Sequence, residues 1–174
     1  MSRPASSAAL PIAHVVLRIL IIANWLSGAA IAALLAVMPN RQWIMSAFHL
    51  SPSPDADQLI MGMRAIAALG LVAIPLNYVL LKRLLAIVET VRAGDPFVAA
   101  NAVRLQAIAW AMLALQLLSL VIGAIAKAIS TPAHPLHLQA GFSISGWLAV
   151  LLTFLLARVF AEGTIMREEL EGTV

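Results

Sequence analysis

Read for its runs of apolar residues, the chain resolves into four long hydrophobic stretches separated by short polar breaks, at about 18–37, 59–81, 105–126 and 142–160. Each stretch reaches or approaches the roughly 20 apolar residues that carry a helix across a bilayer. The fourth is the shortest by apolar count, and its helix is expected to continue through Phe160 into the tail. Beyond Lys82 and Arg83 the apolar pattern narrows instead of stopping. Leu84, Leu85, Val88 and Val91 recur at helical spacing, with Glu89 and Thr90 between the last two. One wet face and one dry face is the mark of a helix outside lipid, so the second helix is predicted to run on past the membrane. Gly94 suits a left-handed helix end, Asp95 suits the cap of a following helix, and Pro96 suits its first turn. A helical hairpin over about 82–104 is expected, leading into the third span. The tail, 161–174, also reads as amphipathic helix, with Phe160, Met166 and Leu170 on one side and Glu162, Arg167, Glu168 and Glu169 on the other. Gly163 weakens it and Gly172 is expected to end it.

Other features lie between the spans. Arg41–Leu50 places Trp43, Ile44, Ala47 and Phe48 on one helical face, the pattern of a short helix lying in the interface. Ser51-Pro52-Ser53-Pro54 closes it, and Asp55 or Asp57 is placed to cap the second span. The loop around 131–137 is short and broken by Pro132 and Pro135. Pro75 is expected to kink the second helix.

Composition agrees. The chain is 62% hydrophobic and 11% charged, against about 45–50% apolar and about 25% charged for a soluble domain. A body of this size has too much surface to hide that excess, so the surplus faces lipid. The first span has Arg3 ahead of it, like a signal peptide, but its apolar core is longer than the roughly 7–15 residues of such a segment and is read as retained. Lys82, Arg83, Arg92 and Arg104 crowd the middle loop, and Arg3, Arg18, Arg158 and Arg167 lie toward the ends. The other two loops offer Arg41 and Lys127. By the positive-inside rule both termini and the hairpin are cytoplasmic. The fold class is all-α: an integral membrane four-helix bundle, N-in/C-in, with helices 2 and 3 extended into the cytoplasm.

Several chemistries are disfavoured. The chain has no cysteine, which excludes disulfides, thiolate metal sites and covalent c-type haem. No Asp or Glu falls within a span, whereas proton- or cation-coupled exporters need an ionisable group in the bilayer. Arg64 is the charge inside a span; it snorkels outward or pairs with Asp57, or it meets an anion or a lipid headgroup. His14 stands alone at the start of the first helix, and His49, His134 and His137 share the other side. The three together offer a weak zinc or copper set without acidic or thiolate support. Gly28 with Ala32, Ala107 with Ala111, and Gly141 with Ser145 have the spacing of close helix contacts, within this bundle or between copies. Asn24, Asn77, Gln106 and Gln116 serve interhelical hydrogen bonds or line a polar cavity.

Gly94-Asp95-Pro96-Phe97 with Asn101 and Arg104-Leu105, and the ending Val159 to Gly163 with Met166 to Val174, resemble the hairpin and C-terminus of a bacterial membrane family, domain of unknown function 2975. Members carry more acidic endings before the final Thr-Val, so Glu171-Gly172 is a departure. The resemblance implies a multi-pass protein of the bacterial inner membrane. Genes of this family often stand beside a small Xre-type helix-turn-helix regulator, which implies a soluble transcription regulator as partner. With no nucleophile–base pair in view, the reading is a non-enzymatic protein without cofactor or direct nucleic-acid contact. Its hairpin and tail would bind that partner through Arg92, Asp95, Phe97, Arg104, Glu162, Arg167 and Glu168. The rival reading is a binder or conduit for a small lipophilic or polar molecule within the bundle.

Overall fold

The computed structural model describes residues 6–37, 54–130 and 140–171. All regular structure among the described residues is helical: α1 (Ser6–Val37), α2 (Pro54–Arg92), α3 (Ala99–Ile129) and α4 (Ile144–Glu171). Each contains a stretch long and apolar enough to cross a membrane: Ala9–Val37, Asp57–Arg92, Ala99–Ile129 and Ile144–Arg167. Their outward side chains are apolar along most of their length, including Ile19, Leu26, Val72, Leu117, Leu151 and Leu155. Such a surface is stable only against lipid, so this is a multi-pass membrane protein.

Packing follows chain order. α1 lies on α2, α2 on α3 and α3 on α4, and no other pair is in comparable contact. Thus α2 and α3 form the middle of the bundle and α1 and α4 its flanks. One core cluster, at the end away from the hairpin, joins Leu59, Ile60 and Ile129 with Leu35, Met63, Ile66 and Ile125. A second, toward the hairpin, joins Leu105, Ile108 and Ala157 with Leu80, Leu84, Ile87, Met112 and Phe160. Between α1 and α2, Asn24 donates to the Ile74 carbonyl at 3.1 Å, the interhelical use expected of it. α2 passes through Pro75 without a break. With 39 residues it is about 58 Å long, close to twice the roughly 30 Å hydrocarbon thickness.

Several expectations are corrected. α2 starts at Pro54, so Asp55 and Asp57 lie inside the helix and not at the position before it that a cap occupies. Gly141 and Ser145 are not a pair on one helix, because α4 begins only at Ile144 and Gly141 has φ +133° in the turn before it. That turn is held to α3 by Ser119, whose hydroxyl accepts from the Gly141 N–H at 3.1 Å. The close approach there falls to Gly123, where a Cβ would stand 2.7 Å from the Ala140 carbonyl oxygen. Of the pair Gly28 and Ala32, only Gly28 is buried, against Ile74. Arg64 is exposed, and both it and Asp57 have partners. The interfacial helix expected at 41–50, the loop at 131–137, and His49, His134 and His137 lie outside the described residues.

Candidate interaction site at the hairpin end

α2 ends as its sequence foretells. Gly94 takes φ +87°, a conformation that costs an L side chain roughly 1 kcal/mol or more. The Asp95 N–H reaches the Thr90 carbonyl at 3.1 Å and the Gly94 N–H reaches the Val91 carbonyl at 3.1 Å. These two bonds form a Schellman motif and satisfy carbonyls that the helix end would otherwise leave open.

The start of α3 differs from expectation. Asp95 is not its cap and Pro96 is not in its first turn, because α3 begins at Ala99 with Val98 in extended backbone and no side-chain cap. Asn101 organises the turn instead. It is fully buried. Its amide nitrogen donates to the Thr90 hydroxyl and to the Pro96 carbonyl, each at 2.8 Å. Its amide oxygen accepts from Arg104 Nη1 at 2.8 Å. The same Arg104 nitrogen reaches the Ala86 carbonyl at 3.2 Å, and Thr90 donates onward to the Ile87 carbonyl at 2.8 Å. Arg104 therefore points into the hairpin seam and is not a charge on its outer rim. A buried amide with all its partners pins α2 to α3 at one register.

Asp95, released from capping, pairs with Arg167 of α4. Arg167 also donates to the Phe97 carbonyl at 3.4 Å. Both members of the pair are 44% exposed, so the pair contributes only about 0.2–1 kcal/mol. The larger contact is aromatic. Phe97 stacks on Phe160 with ring centroids 5.2 Å apart, and Gly163 lies against the Phe97 ring, 3.5 Å from where a Cβ would be. Thr164, buried beside them, bonds the Phe160 carbonyl at 2.8 Å. The tail packs on the hairpin through Phe160, Gly163 and Arg167. Met166 takes no part, being 59% exposed. The α2 residues in the shared core are Leu80, Leu84 and Ile87.

Of the remaining candidates, Arg92 is exposed beside the turn. Glu162 accepts from Arg158 at 2.7 Å on the outside of α4. Glu168 lies on α4, and its side chain is outside the described residues. Six of the seven candidates thus divide: Asp95, Phe97 and Arg167 are brought together, Arg104 is turned inward, and Arg92 and Glu162 remain at the surface. Sequence reasoning missed the contact of His14 Nε2 with the Glu89 carboxylate at 3.5 Å, which ties α1 to this end.

A family model described as a protein of unknown function, DUF2975, matches residues 12–174. The chain belongs to the DUF2975 family. No curated protein and no solved structure matches it. The match to DUF2975 includes the Gly94 turn, Asn101 and the Arg167 contact, so the whole hairpin–tail unit lies within the family's extent.

Proposed function

We propose that this DUF2975 protein is a non-enzymatic inner-membrane protein whose hairpin and tail, on the cytoplasmic side, form a docking platform for a soluble protein, with a helix-turn-helix regulator as the first candidate. The observation that supports this reading is the tie between hairpin and tail. A loop that merely joined two spans would need no buried Asn101 network and no Phe97–Phe160 stack with a chain segment more than sixty residues away. The tie leaves Arg92 and one side of Phe97 at the surface of a rigid unit. Rigid, partly apolar surface with charge around it is what specific docking uses.

Site-specific photocrosslinking from position 92 in intact cells tests the proposal. A soluble-protein adduct is expected from the full chain. It should be weakened several-fold in Arg167→Asp and recovered when Asp95→Arg is added. Adducts with lipid alone, or an adduct indifferent to Arg167→Asp, would count against the platform. The rival reading, a small-molecule binder, draws support from a groove of about 360 Å³ between α3 and α4, lined by Gln106, Phe154 and Arg158 with alanines between them. Gln106→Leu should alter function under that reading and leave it unchanged under the first.

A further inference from the structure

A second groove, of about 330 Å³, opens along the seam of α2 and α3 and is lined by Tyr78, Val79, Lys82, Arg83, Ala86 and Arg104. Its volume is at the lower end of the range of small-ligand sites. Its charge is one-sided: three cations and no acid line it. The nearest acid along α2, Glu89, is turned to His14 of α1. Among the described residues neither Lys82 nor Arg83 has a carboxylate partner. Lys82 Nζ sits 5.6 Å from the Tyr78 ring centroid.

Basic residues at the edge of a span are first of all topology signals. A topology signal needs only charge near the membrane. It does not need three cations from two helices converging on one concavity, nor one of them held in place. Arg104 is half-buried and is oriented by the fully buried Asn101 and the Ala86 carbonyl. A guanidinium fixed in this way is prepared for an oxyanion, because little of its freedom is lost on binding. The groove lies where the apolar run of α2 gives way to Lys82 and Arg83 and that of α3 begins after Arg104. This is headgroup depth, where a tyrosine is also at home.

We infer that Lys82, Arg83 and Arg104 form a binding site for a phosphate group at the membrane–water boundary, of the kind carried by an anionic phospholipid or by a small phosphorylated solute.

The full-length protein in non-ionic detergent, examined by native mass spectrometry with added phosphatidylglycerol or phosphatidylcholine, provides the test. Preferential retention of phosphatidylglycerol is expected, and Lys82→Gln with Arg83→Gln should reduce it at least about tenfold. Arg104→Lys, which keeps the charge and loses the fork, should reduce it several-fold. Arg18→Gln is the matched control. Arg18 lies on α1 between the His14–Glu89 and Trp25–Tyr78 contacts, at the level of Lys82, but does not line the groove. It should leave retention within about twofold, and circular dichroism should show every variant helical. Displacement by millimolar glycerol 3-phosphate assigns the site to a soluble phosphate compound, and its failure to displace assigns it to lipid. Equal retention of both lipids with no binding of glycerol 3-phosphate would overturn the site. So would a loss in Arg18→Gln as large as that in the groove variants, or unchanged retention in the groove variants.

Discussion

Replacing Asn101 by leucine removes the centre of the hairpin network while keeping the branching and heavy-atom count of the side chain. Two neutral hydrogen bonds at 2.8 Å and one from a guanidinium at 2.8 Å are lost. Neutral bonds contribute about 1 kcal/mol each and a charged one about 2 kcal/mol. The site is fully buried, so water does not take over as partner and the full loss of roughly 4 kcal/mol applies. The effect is local, because Gly94 and Arg92 are at the surface and the two spans satisfy their own backbones. Amide hydrogen exchange in detergent reads it directly. The Asp95 and Asn101 N–H groups, bonded to the carbonyls of Thr90 and Val98, should exchange about a hundred to a thousand times faster, at about 1.4 kcal/mol per decade. Amides in the middle of α2 should not change. Asn101→Asp should be nearly as damaging, since a carboxylate keeps Arg104 but turns an acceptor toward the Pro96 carbonyl. A change of less than about threefold at Asp95 and Asn101 would refute the view that this amide holds the hairpin.

Further outcomes follow from other contacts. Gly94→Val should raise exchange in the turn by roughly tenfold, since φ +87° strains any branched side chain by about 1 kcal/mol or more. Gly123→Ala should destabilise the bundle by about 1–3 kcal/mol in unfolding by sodium dodecyl sulfate, because the new methyl meets the backbone of Ala140 and Gly141. Gly146→Ala should cost less, since what it meets is the movable end of Gln116. Phe97→Ala should free the tail from the hairpin, read as faster exchange over 160–170, with about 0.5–1.5 kcal/mol lost from the ring pair beyond its buried area. Reporter fusions at Val174 and near Asp95 should behave as cytoplasmic, and a fusion near Ser53 as external.

The spans and the left-handed glycine were legible because each rests on a local rule: a count of apolar residues, or the one residue type that tolerates positive φ. The uninterrupted extension of α2 to Arg92 was legible in the stripe Leu84, Leu85, Val88 and Val91. The opening of α3 was not. Asp95-Pro96 satisfies a helix-start rule, but Asp95 has a stronger partner in Arg167, and that partner is set by tertiary packing. The role of Asn101 was likewise invisible, because an asparagine near a helix start is ordinarily exposed. Its burial follows from how α2 and α3 meet, which spacing along one helix does not specify. The same holds for Gly123 and Gly146, whose neighbours come from the next helix. The charged rim was half legible: residue types showed which side chains matter at this end, and pairing decided which of them face outward.

Packing in strict chain order has a consequence for how the protein is made. Each helix after the first finds a packing partner already in the membrane when it emerges from the ribosome, and none has to displace an earlier one. The bundle can therefore be assembled as it is synthesised. The exception is the fastening of Arg167 to Asp95 and Phe97, which joins residues about seventy positions apart and forms only after α4 is nearly finished. Until then the hairpin stands formed but unlatched, so the latch separates molecules in which α4 has been made from those in which it has not.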